Sequence, residues 1–179
     1  MNEVAWLRHD SPIGPLLLAA TAHGLRALYM AAHRHVADEP APTWIPAERA
    51  EPAAVAILQR AREQLDAYFA GRRIAFDLPI DVDGSPFQRA VWAGLRTIPF
   101  GETISYGELA RRIGNAKAVR AVGLANGRNP VSIVVPCHRV IGADGSMTGY
   151  GGGIDRKVFL LALEAGVRGA VRPGERCLV

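Results

Sequence analysis

Short apolar runs separated by turn-forming residues make up the first part of the chain. "VAWLRH", "GPLLLAA" and "GLRALYMA" each have the length of a strand, and "DSPI" and "TAHG" between them carry turn chemistry. The pattern predicts a strand meander. "ADEPAPTWIPAERAEP" holds four prolines and reads as a loop. From Pro52 to Ala70 the spacing changes: Val55, Leu58, Leu65 and Phe69 recur near one face, predicting an amphipathic helix that Gly71 stops. "RIAFDLPI" returns to a strand-like run and leads into the linker "DVDG".

After that linker the pattern is mainly helical. "SPFQRAVWAGLRTI" places Ser85 as N-cap, Pro86 in the first helical position and Gln88 to close a capping box. Phe87, Val91, Leu95 and Ile98 form its apolar stripe. "SYGELARRI" repeats the device with Ser105 and Glu108, Gly114 stops the helix, and Asn115 is expected to cap a second one that "AKAVRAVGLAN" continues. Two short helices joined by a Gly-Asn turn have the form of a helix-turn-helix, although many such pairs bind nothing. Three features favour DNA. Ala116, Ala118, Ala121, Gly123 and Ala125 permit close approach, Arg120 projects from among them, and Lys117, Arg111, Arg112 and Arg128 supply positive charge. A strand is expected at "VSIVV", ending in Pro136. The fold class is thus an α+β front unit over residues 1–80, a small antiparallel sheet with a helix. A mainly helical unit with a helix-turn-helix follows over residues 81–179.

Charge sharpens this division. Residues 1–84 carry 8 basic against 11 acidic side chains, a net of −3, whereas residues 85–179 carry 13 against 6, a net of +7. A basic back half suggests a polyanionic partner, with an arginine-rich solvated surface as the alternative. No apolar run approaches the roughly 18 residues of a membrane span. "MNEVAWLRHD" shows no signal-peptide pattern, so a cytoplasmic chain is expected. Cys137 and Cys177 are the only cysteines. A disulfide would join them, but Cys177 falls in what reads as a frayed tail, and reduced thiols fit a cytosolic chain better.

The chemistry concentrates in "PCHRV". A thiol attacks as thiolate, and Cys137 is followed by a base, His138, and by Arg139, which favours negative charge. Adjacent side chains on a strand point oppositely, so pairing Cys137 with His138 needs a turn after the proline or a bridging water. Glu164 lies three and four residues after Leu161 and Leu160, near a buried stripe where a carboxylate wants a partner. The economical assignment has Glu164 orienting His138, which activates Cys137 through water. A last-turn glutamate facing solvent is the competing reading.

"FQRAVWAGLRTIPFGETISYGELA", "NAKAVRAVGLANGRNP", "VVPCHRVIGADGSMTGYGGG" and "RKVFLLALEAG" together resemble the O6-alkylguanine-DNA alkyltransferases, almost continuously over residues 85–166. The front half resembles that family's ribonuclease H-like N-terminal domain more loosely. The resemblance implies direct reversal of DNA damage. Cys137 would take the alkyl group from O6-alkylguanine irreversibly, once per molecule, with the damaged base flipped out of the duplex. Activity on O4-alkylthymine is left open. Arg120 would fill the gap in the stack, and Tyr106 would crowd the phosphate and protonate the departing base. Asn129 would tie the recognition helix to the active-site segment. Helix 116–126, with Ala118, Ala121, Gly123, Lys117 and Arg128, would enter the minor groove. Pro136, Val140, Tyr150, Gly151, Gly152 and Asn126 would line the base pocket.

The resemblance implies a monomer acting on double-stranded DNA, with no cofactor and no membrane. Gly151 stands where a serine often contacts the base, and Asn126 replaces a hydrophobic residue at the pocket floor. The front half has no cysteine, so the zinc site of some members is not expected, and His33 and His35 read as surface residues. Two other readings compete. A lesion sensor without turnover would carry another residue at position 137, and a cysteine hydrolase would need an acyl substrate and a water to release it. A redox regulator would need a resolving cysteine nearby.

Overall fold

The structure, a computed structural model, describes residues 3–34 and 39–170. The meander is present: β1 (Ala5–His9), β2 (Leu16–Thr21) and β3 (Gly24–Met30) pair antiparallel in sequence order. Within the proline-rich segment a two-residue strand, β4 (Ile45–Pro46), adds parallel to β1, giving the order β3-β2-β1-β4. Every residue of β2 is buried, which explains its continuous apolar run in place of alternation. One face is covered by α1 (Pro52–Phe69), through Ala54, Ile57, Leu58, Ala61, Leu65 and Tyr68. Burying Leu58 or Leu65 contributes about 1.5–3 kcal/mol each. Val55 and Phe69, expected near that face, sit half-buried at its edges. Gly71 ends the helix with φ +69°.

"RIAFDLPI" does not form a strand. Its two ends make only isolated bridges, at Arg73 and at Ile80, the latter parallel to Leu25 through Leu25 N–H to Pro79 O (2.8 Å) and Asp81 N–H to Leu25 O (3.0 Å). Pro79 has no N–H with which to extend the ladder.

The remaining elements are α2 (Pro86–Leu95), β5 (Ile104–Ser105), α3 (Tyr106–Arg112), α4 (Val119–Gly127), β6 (Val140–Ile141) and α5 (Ile154–Ala170). The Ser85–Gln88 capping box forms in both directions. Ser105 caps α3 by accepting from Glu108 N–H, but the return bond is absent because the Glu108 carboxylate pairs with Arg111 and Arg112. Gly114, at φ +76°, stops α3. Asn115 does not cap the next helix. It lies in a turn, its carbonyl accepting from Ala118 N–H, and α4 begins at Val119 with Ala118 as its cap, so the second helix covers 119–127 and not 116–126. The indole of Trp92 donates to Ala125 O (2.9 Å), which fixes α2 against α4.

"VSIVV" is likewise not a strand. Val131 bridges Leu28 of β3, and the chain then turns with Ile133 at φ +70°. A β-branched residue in that region is costly, about 1–3 kcal/mol. The turn is closed by Val134 N–H to Ser132 O and Val135 N–H to Val131 O. The outer edge of β3 therefore holds both the linker and the segment leading to Pro136. In this way the front sheet positions the back half.

Candidate functional site

Immediately after Pro136 the chain makes a 3-10 turn at Cys137–Arg139, and β6 then pairs parallel with β5. The turn separates side chains that a strand would have placed on opposite faces. Cys137 is 4% exposed, and its sulfur accepts from Asn129 Nδ2 (3.0 Å). Asn129 follows the C-cap of α4, and the same amide group donates to Val135 O (2.8 Å), while its Oδ1 accepts from Val131 N–H (3.0 Å). One side chain thus joins the end of the second helix, the strained turn and the thiol.

Glu164 is wholly buried at the centre of a second cluster. Its carboxylate accepts from His138 Nε2 (2.7 Å), Arg139 Nε (2.9 Å) and Nη2 (3.0 Å), Gly101 N–H (2.9 Å) and the Tyr68 hydroxyl (2.8 Å). The solvent-facing reading of Glu164 is therefore excluded. Burial alone would raise this carboxyl, but hydrogen bonds and charge from His138 and Arg139 outweigh it and hold its pKa at about 2. An ionised carboxylate only accepts, so His138 Nε2 carries the proton and Nδ1 bears the lone pair. Nδ1 is buried and has no hydrogen-bond partner among the described residues. Burial lowers the His138 pKa more than Glu164 raises it, which keeps the imidazole neutral, with its Nδ1 lone pair open.

Arg139 does not sit against the thiol as its sequence position suggested. Its guanidinium clamps Glu164, donates to Ile98 O (2.7 Å) and lies over the Phe100 ring. The cation that does favour the thiolate is Lys157, fully buried on α5, with Nζ donating to Val140 O (2.6 Å) and Thr148 O (3.1 Å). Burial raises the thiol pKa, opposed by the Asn129 hydrogen bond, the Lys157 charge and Ser132. Sequence reasoning missed both Lys157 and Tyr68.

Around the thiol, Tyr106 at the start of α3 donates to Thr148 O (3.1 Å). Burial and then the Cys137 charge raise its pKa. Asn126 is 1% exposed, with Nδ2 donating to Cys137 O (3.4 Å) and Oδ1 unpartnered. Pro136, Val140, Tyr150 and Gly152 are buried and Gly151 is partly so. A Cβ on Gly151 would stand 2.5 Å from His33 Nε2, and one on Gly152 would overlap Met30, so these glycines are where the loop meets the front domain. His33 is accordingly buried and not a surface residue. His35 and Cys177 lie outside the described residues, among which no cluster could hold a metal ion. On the outer face Arg120, Lys117, Ala121 and Arg128 are exposed, with Ala118 and Gly123 partly so. No described helix is long and apolar enough to cross a membrane.

A helix-turn-helix built against a buried thiol, with a neutral imidazole oriented by a carboxylate, has the make-up of a DNA-binding domain that carries a cysteine beside a histidine–glutamate pair. Residues 86–166 match the family described as 6-O-methylguanine DNA methyltransferase, DNA binding domain, and residues 6–82 match its ribonuclease-like domain. The chain belongs to the 6-O-methylguanine DNA methyltransferase family. A methylated-DNA–protein-cysteine methyltransferase of Mycolicibacterium paratuberculosis is 56% identical over 87% of this chain and 88% of its own length. One from Methanosarcina acetivorans is 48% identical over 87% and 94%. The crystal structure of Mycobacterium tuberculosis OGT in complex with DNA superposes with a TM-score of 0.81 at 51% identity, over 91% of this chain and 94% of that one.

Proposed function

We infer that the protein repairs alkylated DNA by moving the alkyl group from O6 of guanine to Cys137, once per molecule. The observation that carries this reading is the junction of two clusters at the 3-10 turn. Asn129 holds the sulfur, and next to it His138 is anchored by Glu164 with its second nitrogen free to accept a proton. Relatives named as methylated-DNA–protein-cysteine methyltransferases cover most of the chain, and Cys137 is present, so the sensor reading is not favoured.

The resting thiol is protonated, since burial raises its pKa. Its proton passes through a water to His138 Nδ1. The thiolate, stabilised by the Asn129 amide and the Lys157 charge, attacks the saturated carbon of the lesion. A C–S bond forms as the C–O bond breaks, and the electron pair leaves on the guanine. Tyr106 then protonates the departing base at a ring nitrogen. The thiolate charge raises the Tyr106 pKa, and its loss as the thioether forms makes the phenol a better acid at the moment it is needed. Nothing in the site cleaves a thioether, so the protein is consumed.

The helix 119–127 docks in the minor groove of double-stranded DNA as a monomer, with Ala118, Ala121 and Gly123 allowing approach and Lys117 and Arg128 meeting phosphates. Arg120 enters the stack in place of the flipped nucleotide. Pro136, Val140, Tyr150, Gly151, Gly152 and Asn126 surround the base. Residues 1–80 act as scaffold and residues 81–179 carry the DNA site and acceptor, in the cytoplasm.

Incubation with duplex DNA containing O6-methylguanine, followed by mass spectrometry, tests the reading. One methyl group per chain on the Cys137 peptide is expected, and none in Cys137→Ala. Continued turnover, or methylation that survives the substitution, overturns it.

A further inference from the structure

Residues 149–153, the loop that carries Tyr150, are tied to the front domain at two carbonyls. Gly151 O accepts from Arg34 N–H (2.9 Å), and Gly152 O accepts from Arg156 Nη1 (3.0 Å). The same Nη1 donates to Ala31 O (2.6 Å), and Arg156 Nε donates to Ile13 O (2.9 Å). One planar guanidinium on α5 thus locks a carbonyl of the loop to two carbonyls of the front domain. The segment it grips leaves β3 through Ala32, at φ +57°, a conformation that non-glycine residues seldom adopt. Such a turn persists where its surroundings fix it. It brings His33, 7% exposed, against the loop, with Nε2 where a side chain on Gly151 would begin.

Tyr150 is buried between this clamp and the thiol. Burial and then the Cys137 charge raise its pKa, and the Arg156 charge opposes the rise. A wall of the site displaced by a fraction of an ångström costs the displacement reaction more than it costs docking, because attack needs the carbon in line with the sulfur. Arg156 and His33 both lie outside the helix-turn-helix, so docking of the duplex does not depend on them. We propose that Arg156 and His33 are positioning residues for alkyl transfer, through which the front domain holds the loop at the distance from Cys137 that the transfer step requires. The proposal rests on the alkyl-transfer reading above and gives the front domain a part in the chemistry.

Single-turnover methyl transfer from duplex DNA containing O6-methylguanine separates the rate at saturating DNA from the affinity. In Arg156→Met that rate is expected to fall about ten- to a hundredfold, the cost of a small misplacement, with affinity for unmodified duplex unchanged. Arg156→Lys, which can still donate to a carbonyl, should recover part of the rate. Gly151→Ala sets a Cβ 2.5 Å from His33 Nε2, which forces a shift, and 3.3 Å from Gly127 O, which needs only a few tenths of an ångström. Its rate should fall likewise, and adding His33→Ala should restore most of it. That rescue tests the proposal even if Arg156→Met does not fold. A native rate in Arg156→Met or in Gly151→Ala overturns the proposal. So does affinity that falls in step with the rate, or a slow Gly151→Ala that His33→Ala leaves slow, because the added methyl would then act on the base itself. No transfer by the native protein would overturn the underlying reading and this one with it.

Discussion

At the scale of single residues, the site depends on how completely Glu164 is satisfied. Four residues donate to it, and Tyr68 is the one that comes from the front half, 96 positions away in sequence. Tyr68→Phe keeps the ring packing against Phe69, Phe76 and Phe100 and removes only the hydroxyl. Loss of a hydrogen bond to a buried carboxylate is expected to destabilise by about 1.5–3 kcal/mol. Urea unfolding measures it, and an unchanged midpoint would show that the carboxylate does not need this donor. The apolar spacing of α1 marked neighbouring Phe69 as core and passed over Tyr68, because a phenol's partner so far along the chain leaves no local pattern. Glu164 and His138 were legible, since a carboxylate beside a buried stripe needs a partner and "PCHR" supplies one. Lys157 was not: in "RK" at the start of an amphipathic helix nothing distinguishes the fully buried cation from its half-buried neighbour Arg156.

Among the elements, turns announced by glycine were readable and turns made by other residues were not. Gly114 at φ +76° ended α3 where expected. Ile133 occupies the same left-handed region, and its β-branched neighbours spelled a strand where the chain in fact turns. The start of α4 was misplaced because "NAKA" is equally compatible with turn and helix. The electrostatic reading of the pair also changes once side chains are in place. Arg111 and Arg112 are held by Glu108, whereas Lys117, Arg120 and Arg128 pair with no carboxylate among the described residues. Each phosphate neutralised contributes about −0.9 to the slope of log affinity against log salt. Lys117→Ala is expected to flatten that slope by about this amount, and Arg111→Ala to leave it almost unchanged. Equal flattening by both would mean that Glu108 releases its arginines on DNA. The measurement is a salt titration of duplex binding by fluorescence anisotropy.

Over the whole molecule, the acidic front half does more than balance charge. Its sheet edge at Leu25 and Leu28 holds the linker and the segment before Pro136, and Arg156 of α5 reaches back to Ile13 O (2.9 Å) and Ala31 O (2.6 Å). With Tyr68 on Glu164, the site's polar centre spans both halves, so the two are expected to unfold as one. The composition shift at residue 84 revealed that there are two parts, but not that the second part's chemistry is completed by the first. This joint centre has a defined response to acid. His138 has a folded pKa below 6.5, so the unfolded chain binds its proton first, and stability present above pH 6.5 is lost as pH falls through the folded value. Glu164 falls from 4.5 unfolded to about 2 folded, and its contribution, about 3 kcal/mol, is lost between those values. The urea midpoint should therefore be steady above pH 6.5, decline below it and decline again below 4.5. A single transition should be seen by both Trp fluorescence and far-UV circular dichroism. In Glu164→Gln the decline below 4.5 should largely disappear, on a baseline lowered by about 3–5 kcal/mol because Arg139 is left buried without its carboxylate. Two separate transitions, or an undiminished acid decline in that variant, would show that the halves are independent and that the acid sensitivity lies elsewhere.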